Sequence, residues 1–378
     1  MKIGSCRLCG AKLPKLALLE LQGMPGAAQF LPALDELAHD KGADLFIFEC
    51  SQCGLVQTCQ EPVTYYKEVI RASAFSSEMA IFRQQQLKDW VDKNQLAGRT
   101  ILEIGAGKGE YLQLLQQTGL QAYGTEFGEN SVQQCHQLGF QVYHAFPEGS
   151  GLNINDAPFD AFASFNFMEH WPNPKASLQD IAQVLKPEAL GLVEVPNFDM
   201  ILRNNLFTEF ISDHIFYFTA NTLRLMLETS GFEVIEIKSI WYDYILSATV
   251  KKRGVSKIDA FKENKLSLGH ALHQFADQFQ AGGVAVWGAG HQALAAIALL
   301  NLACKIKYVV DSAPFKQGKY TPATHLPIVS PSELSKSPVN AVIVMAAGYS
   351  DEVVKIIQAI ERPSMRIAVL RETHLEII

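Results

Sequence analysis

The sequence has no extended basic patch of the kind that binds nucleic acid. Its 378 residues include 32 Lys and Arg against 39 Asp and Glu, which gives a formal charge of -7 at pH 7. The only basic cluster is Lys251-Lys252-Arg253, whereas binding along a phosphate backbone requires many clustered cations that release counterions. Nucleic acid is therefore not an expected partner.

Secretion and membrane signals are missing as well. Residues 1–10 lack the basic start and apolar core of a signal peptide. The longest uncharged run, residues 281–304, contains Gly288-Ala289-Gly290, and this turn makes strand, turn and helix a better explanation than a membrane span. The composition, 48% hydrophobic and 19% charged, is that of a globular protein. We expect a cytoplasmic protein, monomeric or homodimeric, without a membrane partner.

Disulfides are not expected, because the seven Cys of a protein in a reducing compartment remain thiols. Two C-x-x-C pairs, Cys6 with Cys9 and Cys50 with Cys53, are each followed by glycine. Four thiolates close a tetrahedral site, and a segment of about sixty residues with a small core gains folding energy from the metal. The spacing predicts structural Zn²⁺ bound by these four residues; four incidental cysteines are the alternative.

A glycine-rich turn follows a predicted strand at residues 100–104. Gly105, Gly107 and Gly109 lead into a predicted helix over residues 110–117. Glycine suits a turn with positive φ against which a ligand lies. The next apolar run ends at Glu126, whose carboxylate can accept both hydroxyls of a ribose. The pattern predicts a site for a nucleoside cofactor.

The spacing G-x-G-x-G differs from the dinucleotide fingerprint, and Glu103 precedes the first glycine by two residues. This E-x-G-x-G-x-G pattern resembles the first motif of class I S-adenosylmethionine methyltransferases; a generic turn with incidental glycines is the alternative. The resemblance implies S-adenosylmethionine as the cofactor. The residues it assigns to that cofactor are Glu103, Gly105, Ala106, Gly107, Gly109, Glu126, Phe127, Ala145, Phe146, Asn166 and Glu169.

Strand and helix patterns alternate beyond residue 100, and a chain of this length predicts two or three domains. The predicted strands are residues 100–104, 121–125, 140–145, 159–167, 190–195, 231–240 and 244–250. Alternation implies a parallel sheet, and the last two strands, with no helix between them, imply an antiparallel finish. We predict an α/β protein with a zinc-binding domain (1–62), a class I methyltransferase domain with a seven-stranded sheet (63–250) and a Rossmann-like domain (251–378).

A histidine beside a carboxylate lies in the aromatic segment 210–218. Asp213 could tune His214 as a general base, although a structural histidine and a helix-capping Asp explain the pattern equally well. For His170, after the fourth strand, packing is favoured over catalysis. His170, Tyr217 and Ser76, which lies in the polar, helix-favouring stretch 65–94, are candidate substrate contacts; a solvated helix is the alternative for that stretch.

A second strand, glycine turn and helix begin near residue 283, and the following strand ends at Asp311. Without a third spaced glycine the dinucleotide pattern is weaker, and a purely structural domain is the alternative. Residues 307–330 have the polar content of a phosphate or sugar site. The predicted substrate contacts are Gly288, Gly290, His291, Asp311, Lys316 and His325.

Taken together, these landmarks resemble the nucleotide-sugar C-methyltransferases of branched deoxysugar pathways along essentially the whole chain. The resemblance implies methyl transfer to carbon of a nucleotide-linked keto sugar, with His214 as the base. In that family a Glu precedes the base and a tyrosine lies three residues before it; here the residues are Asp213 and Ile211. A second family tyrosine also lacks a counterpart, because Ser73 and Ala74 precede the Phe-Ser-Ser segment. O- or N-methylation of a sugar or related small molecule stays open, as does a cofactor-binding assembly protein without turnover.

Overall fold

The computed structural model describes residues 4–29, 31–68, 76–256, 258–360 and 364–378. Residues 69–75 of the predicted leading helix, with Ser73 and Ala74, lie outside these ranges. The chain divides into two compact units, Met1–Gly254 and Val255–Ile378. In the described part of the chain, no helix is long and apolar enough to cross a membrane.

The strands and helices alternate through most of the described chain. The strands are β1 (Leu19–Met24), β2 (Ala43–Glu49), β3 (Val56–Thr58), β4 (Thr100–Ile104), β5 (Gln121–Glu126), β6 (Gln141–His144), β7 (Phe159–Phe165), β8 (Leu185–Pro196), β9 (Phe216–Tyr217), β10 (Phe232–Ile240), β11 (Ile245–Lys252), β12 (Val284–Trp287), β13 (Ile306–Val310), β14 (Ile328–Val329), β15 (Ala341–Val344), β16 (Arg366–Leu370) and β17 (Leu375–Ile377). The helices are α1 (Ser77–Lys93), α2 (Glu110–Gln117), α3 (Glu129–Gln137), α4 (Pro174–Gln183), α5 (Phe198–Arg203), α6 (Ala220–Thr229), α7 (Asp259–Ala276), α8 (His291–Leu299), α9 (Glu333–Lys336) and α10 (Ser350–Gln358).

The N-terminal residues form a four-stranded antiparallel sheet in the order β1-β2-β3-β9. Its last strand comes from far along the chain, since Val56 pairs with Tyr217. The buried side chains of Leu45 and Ile47 pack with Phe198 and Tyr217 in one apolar cluster. This shared strand and core explain why the N-terminal residues belong to the same compact unit, Met1–Gly254, as the seven-stranded sheet.

The central sheet has seven strands in the order β10-β11-β8-β7-β4-β5-β6. Strands β4 to β8 are parallel, while β11 runs antiparallel to both β8 and β10, so the predicted antiparallel finish is present. In this sheet β4 lies between β5 and β7, so the strand order reverses direction at β4. α/β proteins bind ligands in the crevice outside the carboxyl ends of the strands at such a switch point.

A buried ion pair fixes α1 on this sheet. Nη1 of Arg83 donates to Oε2 of Glu194 on β8 at 2.5 Å, and the two side chains are 1% and 0% exposed. The other carboxylate oxygen of Glu194 accepts from Nε2 of Gln86 at 2.5 Å and from the hydroxyl of Ser247 at 3.0 Å. Both oxygens of the buried carboxylate are thus satisfied, as burial of a charge requires.

The second unit contains a six-stranded sheet in the order β14-β13-β12-β15-β16-β17, parallel except for β17. Gly288 follows β12 with a φ of 119°, and a Cβ there would lie 2.5 Å from the carbonyl oxygen of Met345. Only glycine fits this turn, which opens α8. The unit is the predicted Rossmann-like arrangement of parallel strands and helices.

Candidate active site

The four predicted zinc ligands lie together at the N-terminal end of the chain. The Sγ atoms of Cys6 and Cys53 are 3.6 Å apart, as are those of Cys9 and Cys50, and all four lie within 4.8 Å of one another. Tetrahedral thiolates bound to zinc at about 2.3 Å are separated by about 3.8 Å. Nε2 of Gln57 lies 3.1 Å from Sγ of Cys6, an outer contact of the kind that orients metal ligands. The donor set fits Zn²⁺.

The glycine turn after β4 depends on its glycines. Gly105, Gly107 and Gly109 have φ values of 74°, 57° and 91°, a region that side chains rarely adopt. A Cβ on Gly105 would also lie 2.5 Å from the ring of Phe167. The turn therefore leaves a cradle at the carboxyl end of β4 that any larger residue would fill.

The carboxylate of Glu126 spans this turn from the end of β5. Its Oε2 accepts from the main-chain N–H of Gly107 at 2.8 Å, and its Oε1 accepts from the N–H groups of Phe127 and Gly128 at 2.9 and 3.0 Å. Glu126 is thereby held at the end of β5 against the glycine turn.

The remaining predicted cofactor residues surround the same crevice. Glu103 and Ala106 are fully buried beside the turn, and Asn166, directly after β7, has a φ of 48°. The main-chain N–H of Ala145 donates to the carbonyl of Glu126 at 3.0 Å. The ring of Phe146 contacts Phe127 and Phe167 edge-on, with centroids 6.4 and 5.9 Å apart, which builds an aromatic wall.

Lys67 lies over that wall, and nothing in the local sequence pattern indicates this. Its Nζ is 4.8 Å from the centroid of Phe127 and 5.4 Å from that of Phe146, within cation–π range, and it pairs with Glu148. The neighbouring Tyr66 ring meets Phe146 at 5.7 Å. A segment from the N-terminal region therefore covers one side of the crevice.

The carboxylate of Asp213 was expected to contact His214, but it bonds other residues. Its Oδ1 accepts from the N–H of Ala28 at 2.8 Å and its Oδ2 from the hydroxyl of Tyr65 at 2.9 Å. Among the described residues, the carboxylate has no hydrogen bond to the ring of His214. Instead, the carbonyl oxygen of Asp213 accepts from Nδ1 of His170 at 2.9 Å. The side chain secures this loop to the N-terminal region, and the main chain orients the other histidine.

His170 and His214 face each other at the end of β7. Their ring centroids are 4.8 Å apart at an interplanar angle of 73°, and their nitrogens and a carboxylate oxygen of Glu169 lie within 4.8 Å of one another. Burial lowers the pKa of His170 to about 4. Burial, then the neighbouring His170, lowers the pKa of His214 well below 6.5. The lowered pKa values keep both rings neutral at pH 7, and a neutral imidazole has one nitrogen without hydrogen.

Two predicted substrate contacts have structural partners of their own. The hydroxyl of Tyr217 lies 3.2 Å from both the N and the O of Ile211, and its ring is buried. The hydroxyl of Ser76 accepts from the N–H of Met79 at 3.2 Å and caps α1, because the helix begins at Ser77 and not near residue 65. Both side chains are thus occupied in supporting local structure.

In the second unit, the carboxylate of Asp311 bonds the main chain of the turn after β12. Its Oδ2 accepts from the N–H of Ala289 at 2.8 Å and from Nζ of Lys316 at 2.9 Å, and its Oδ1 accepts from the N–H of Ala313 at 2.9 Å. Gly288, Gly290 and Lys316 therefore meet at one strand end. In the described part of the unit, the exposed side chains of His291 and His325 form no hydrogen bond to this group.

Two family profiles match consecutive parts of the chain. Residues 79–237 match the methyltransferase domain, and residues 248–369 match the C-methyltransferase C-terminal domain. Among solved structures, an S-adenosylmethionine-dependent methyltransferase from Clostridium acetobutylicum is 13% identical, with a TM-score of 0.38, over 50% of this chain and 96% of that chain.

Two curated relatives illustrate the range of similarity. The C-methyltransferase NovU of Streptomyces niveus is 23% identical over 93% of this chain and 91% of that protein. A ubiquinone biosynthesis O-methyltransferase of Azoarcus is 30% identical, but only over 26% of this chain and 45% of that relative. The chain is an S-adenosylmethionine-dependent methyltransferase in which a methyltransferase domain is followed by a C-methyltransferase C-terminal domain.

Proposed function

We propose that the protein transfers a methyl group from S-adenosylmethionine to a carbon of a nucleotide-linked keto sugar. The observation that carries this proposal is the pair of neutral histidines, His170 and His214, beside the glycine turn. Carbon acidified by a neighbouring carbonyl needs a base that is free of its proton at pH 7. The C-methyltransferase C-terminal domain at residues 248–369 supports carbon as the acceptor.

In this proposal His214 removes the proton from the carbon beside the carbonyl. The electrons of that C–H bond form the substrate enolate, whose carbon would take the methyl group as the bond from methyl to the sulfonium sulfur breaks, leaving S-adenosylhomocysteine. The imidazolium that forms is stabilised by the carboxylate of Glu169, which lies within 4.8 Å of both rings. Bound S-adenosylmethionine supplies a methyl group on a sulfonium, which needs no metal activation.

The cofactor is held by the turn at Gly105, Gly107 and Gly109, with Glu126 at the ribose and the wall of Phe127 and Phe146 at the adenine. Asp213 acts as a positioning residue for the loop that carries His214, because its carboxylate bonds Ala28 and Tyr65. Zn²⁺ at the four cysteines is structural in this proposal.

We assign the nucleotide portion of the substrate to the second unit. The first N–H groups of α8, directly after Gly290, have no partner within the helix, an arrangement that favours phosphate. Lys316, held at 2.9 Å by Asp311, adds a positive charge beside it. If the second unit is instead purely structural, it should bind no ligand.

The test is to incubate the zinc-loaded protein with S-adenosylmethionine labelled in the methyl group and with nucleoside diphosphate 4-keto-6-deoxyhexoses. We expect acid-stable label whose NMR position is a carbon beside the carbonyl. Label on oxygen or nitrogen would identify the second candidate, O- or N-methylation, which the absence of a tyrosine at Ile211 favours because no enolate then needs stabilising. Cofactor binding without any transfer would identify an assembly protein.

A further inference from the structure

The enolate in the proposed reaction needs a hydrogen-bond donor for its oxygen, and the histidines do not supply one. Nδ1 of His170 bonds a carbonyl oxygen, so in the neutral ring the hydrogen is on that atom and Nε2 is bare. Such a ring accepts a proton but donates nothing into the site. His214 has the role of base. The donor must therefore come from another residue.

Two phenols near the His214 loop bond residues of the loop itself. Tyr217 bonds the main chain of Ile211 at 3.2 Å and is buried. Tyr65 donates to Asp213 at 2.9 Å, and the same carboxylate also bonds the N–H of Ala28. Both phenols thus fasten the loop in place.

A third phenol, that of Tyr244, lies at the carboxyl edge of the central sheet. Tyr244 directly precedes β11, whose first residue, Ile245, pairs with Pro196 at the end of β8. The N–H of Asn197 donates to the carbonyl of Tyr244 at 2.8 Å. The next residue, Phe198, donates to the carbonyl of Phe218 at 3.0 Å, so the segment that carries His214 returns to the same strand end.

The turn that presents Tyr244 is strained. Trp241, Tyr242 and Asp243 have φ values of 49°, 55° and 67°, which places three successive side-chain-bearing residues in the left-handed region. Nδ2 of Asn197, itself 2% exposed, donates to the carbonyl of Asp243 at 2.8 Å and holds the turn. Strain of this kind is retained where the surroundings enforce it and is concentrated at functional sites.

The hydroxyl of Tyr244 bonds a residue of the segment that leads into His214. It donates to Oε2 of Glu209 at 2.6 Å, and Glu209 lies five residues before His214. Burial, then Glu209 and Glu169, raises the pKa of Tyr244, so the phenol keeps its proton and remains a donor. The residue is still 36% exposed, which leaves it accessible to a ligand.

We propose that Tyr244 is a catalytic residue that donates a hydrogen bond to the carbonyl oxygen of the acceptor and stabilises the enolate. This inference rests on the proposed function. The hydroxyl turns from Glu209 to the substrate and keeps its proton throughout, while His214 holds the proton taken from carbon. Donors aimed at a developing oxyanion contribute about 100-fold or more in rate.

The test compares Tyr244→Phe with Tyr242→Phe in the zinc-loaded full-length protein. Tyr242 belongs to the same strained turn, but its hydroxyl bonds Glu78 on α1. Each variant is given thymidine diphosphate 4-keto-6-deoxyglucose or its uridine counterpart in D₂O with S-adenosylhomocysteine, and deuterium entry beside the carbonyl is measured by NMR. Methylation kinetics are measured in parallel.

We expect Tyr244→Phe to slow both deuterium entry and kcat by about 100-fold, with KM, cofactor affinity and Tm close to those of the parent. Tyr242→Phe should match the parent in every measurement. Equal exchange rates in Tyr244→Phe and the parent would overturn the role of Tyr244 and leave the proposed function intact. A loss of both Tm and cofactor affinity in Tyr244→Phe would also overturn the catalytic role, because it would show that Tyr244 is a structural residue. A parent protein that neither exchanges nor methylates carbon would refute the proposed function and this inference together.

Discussion

The main-chain carbonyl oxygen of Asp213 accepts a hydrogen bond from Nδ1 of His170 at 2.9 Å. The residue next to the proposed base therefore sets the tautomer of the second histidine through its backbone, whatever its side chain. Its carboxylate is occupied by Ala28 and Tyr65. The orientation of His170 therefore does not depend on the charge of the side chain at position 213.

The first prediction concerns the side chain of Asp213. Asp213→Asn should lower kcat less than tenfold, because an amide can still accept from Ala28 and donate to the oxygen of Tyr65. Asp213→Ala should lower the free energy of unfolding by about 2 to 3 kcal/mol, since it removes two hydrogen bonds to a buried carboxylate. Steady-state kinetics and urea unfolding measure the two effects. A carboxylate that oriented the base directly would instead make Asp213→Asn cost about 10⁴ in kcat, and that result would refute the positioning role.

The second prediction is a dependence of stability on pH. Burial lowers the pKa of His170 from 6.5 to about 4. Above pH 6.5 both the folded and unfolded states are neutral, and the full stability is present. As the pH falls from 6.5 to about 4, only the unfolded state takes up the proton, so the free energy of unfolding decreases, by up to about 3 kcal/mol.

Urea unfolding at a series of pH values measures this effect. His170→Asn should make the decrease smaller, and part of it should remain because burial also lowers the pKa of His214. His270→Asn, at an exposed position on α7, should retain the full decrease. An unchanged slope in His170→Asn would show that other groups cause the pH dependence.

Much of the fold follows from local sequence patterns. The apolar run, the glycine spacing and Glu126 are close together in the chain, so the strand, turn and helix around the crevice are predictable from short-range rules. The absence of a helix between residues 240 and 245 likewise predicts the antiparallel pair β10 and β11. Each of these features depends on neighbours in sequence.

Which residues form the site depends on contacts between segments that are far apart in the chain. These contacts are much less predictable from the sequence. Lys67 and Tyr65 reach the crevice and the His214 loop from the N-terminal region, and Tyr244 reaches the strand end through a strained turn without glycine. The direction of the Asp213 carboxylate is set by Ala28, 185 residues away in the chain. No periodicity or motif encodes such contacts, which is why the carboxylate was expected to face His214.

The third prediction is that the four-cysteine cluster binds about one zinc ion per chain. Cys50→Ser should lose the metal and lower Tm, because metal binding contributes directly to folding. Cys304→Ser, an exposed cysteine of the second unit, is the control and should keep both. Metal content by mass spectrometry and thermal unfolding with a chelator provide the measurements; an unchanged Tm in chelator would argue against a structural zinc.

The fourth prediction concerns the buried pair of Arg83 and Glu194. Arg83→Leu should lower the free energy of unfolding by about 3 to 5 kcal/mol, because it leaves the Glu194 carboxylate buried without its counterion. The double variant with Glu194→Leu should recover much of that loss. Lys88→Ala, which removes an exposed pair with Asp92 on the same helix, should have no measurable effect. Equal losses in the single and double variants would mean that packing, not charge, dominates.

The last prediction separates the two glycine turns. Glu126 and Asp311 each accept an N–H from their own turn at 2.8 Å, from Gly107 and Ala289, so either turn resembles a nucleoside site. Glu126→Ala should weaken S-adenosylmethionine by about 1.5 to 3 kcal/mol, tenfold or more, because hydrogen bonds to a charged group are lost.

Asp311→Ala should leave the affinity for S-adenosylmethionine unchanged and weaken the sugar nucleotide, or only stability if the second unit has no ligand. Calorimetric titration of both variants with both ligands distinguishes these outcomes, and Glu126→Gln controls for the support that the carboxylate gives to the turn. Loss of S-adenosylmethionine binding in Asp311→Ala, with Glu126→Ala unaffected, would place the cofactor in the second unit, because the residue whose removal abolishes binding must belong to the turn that holds the ribose.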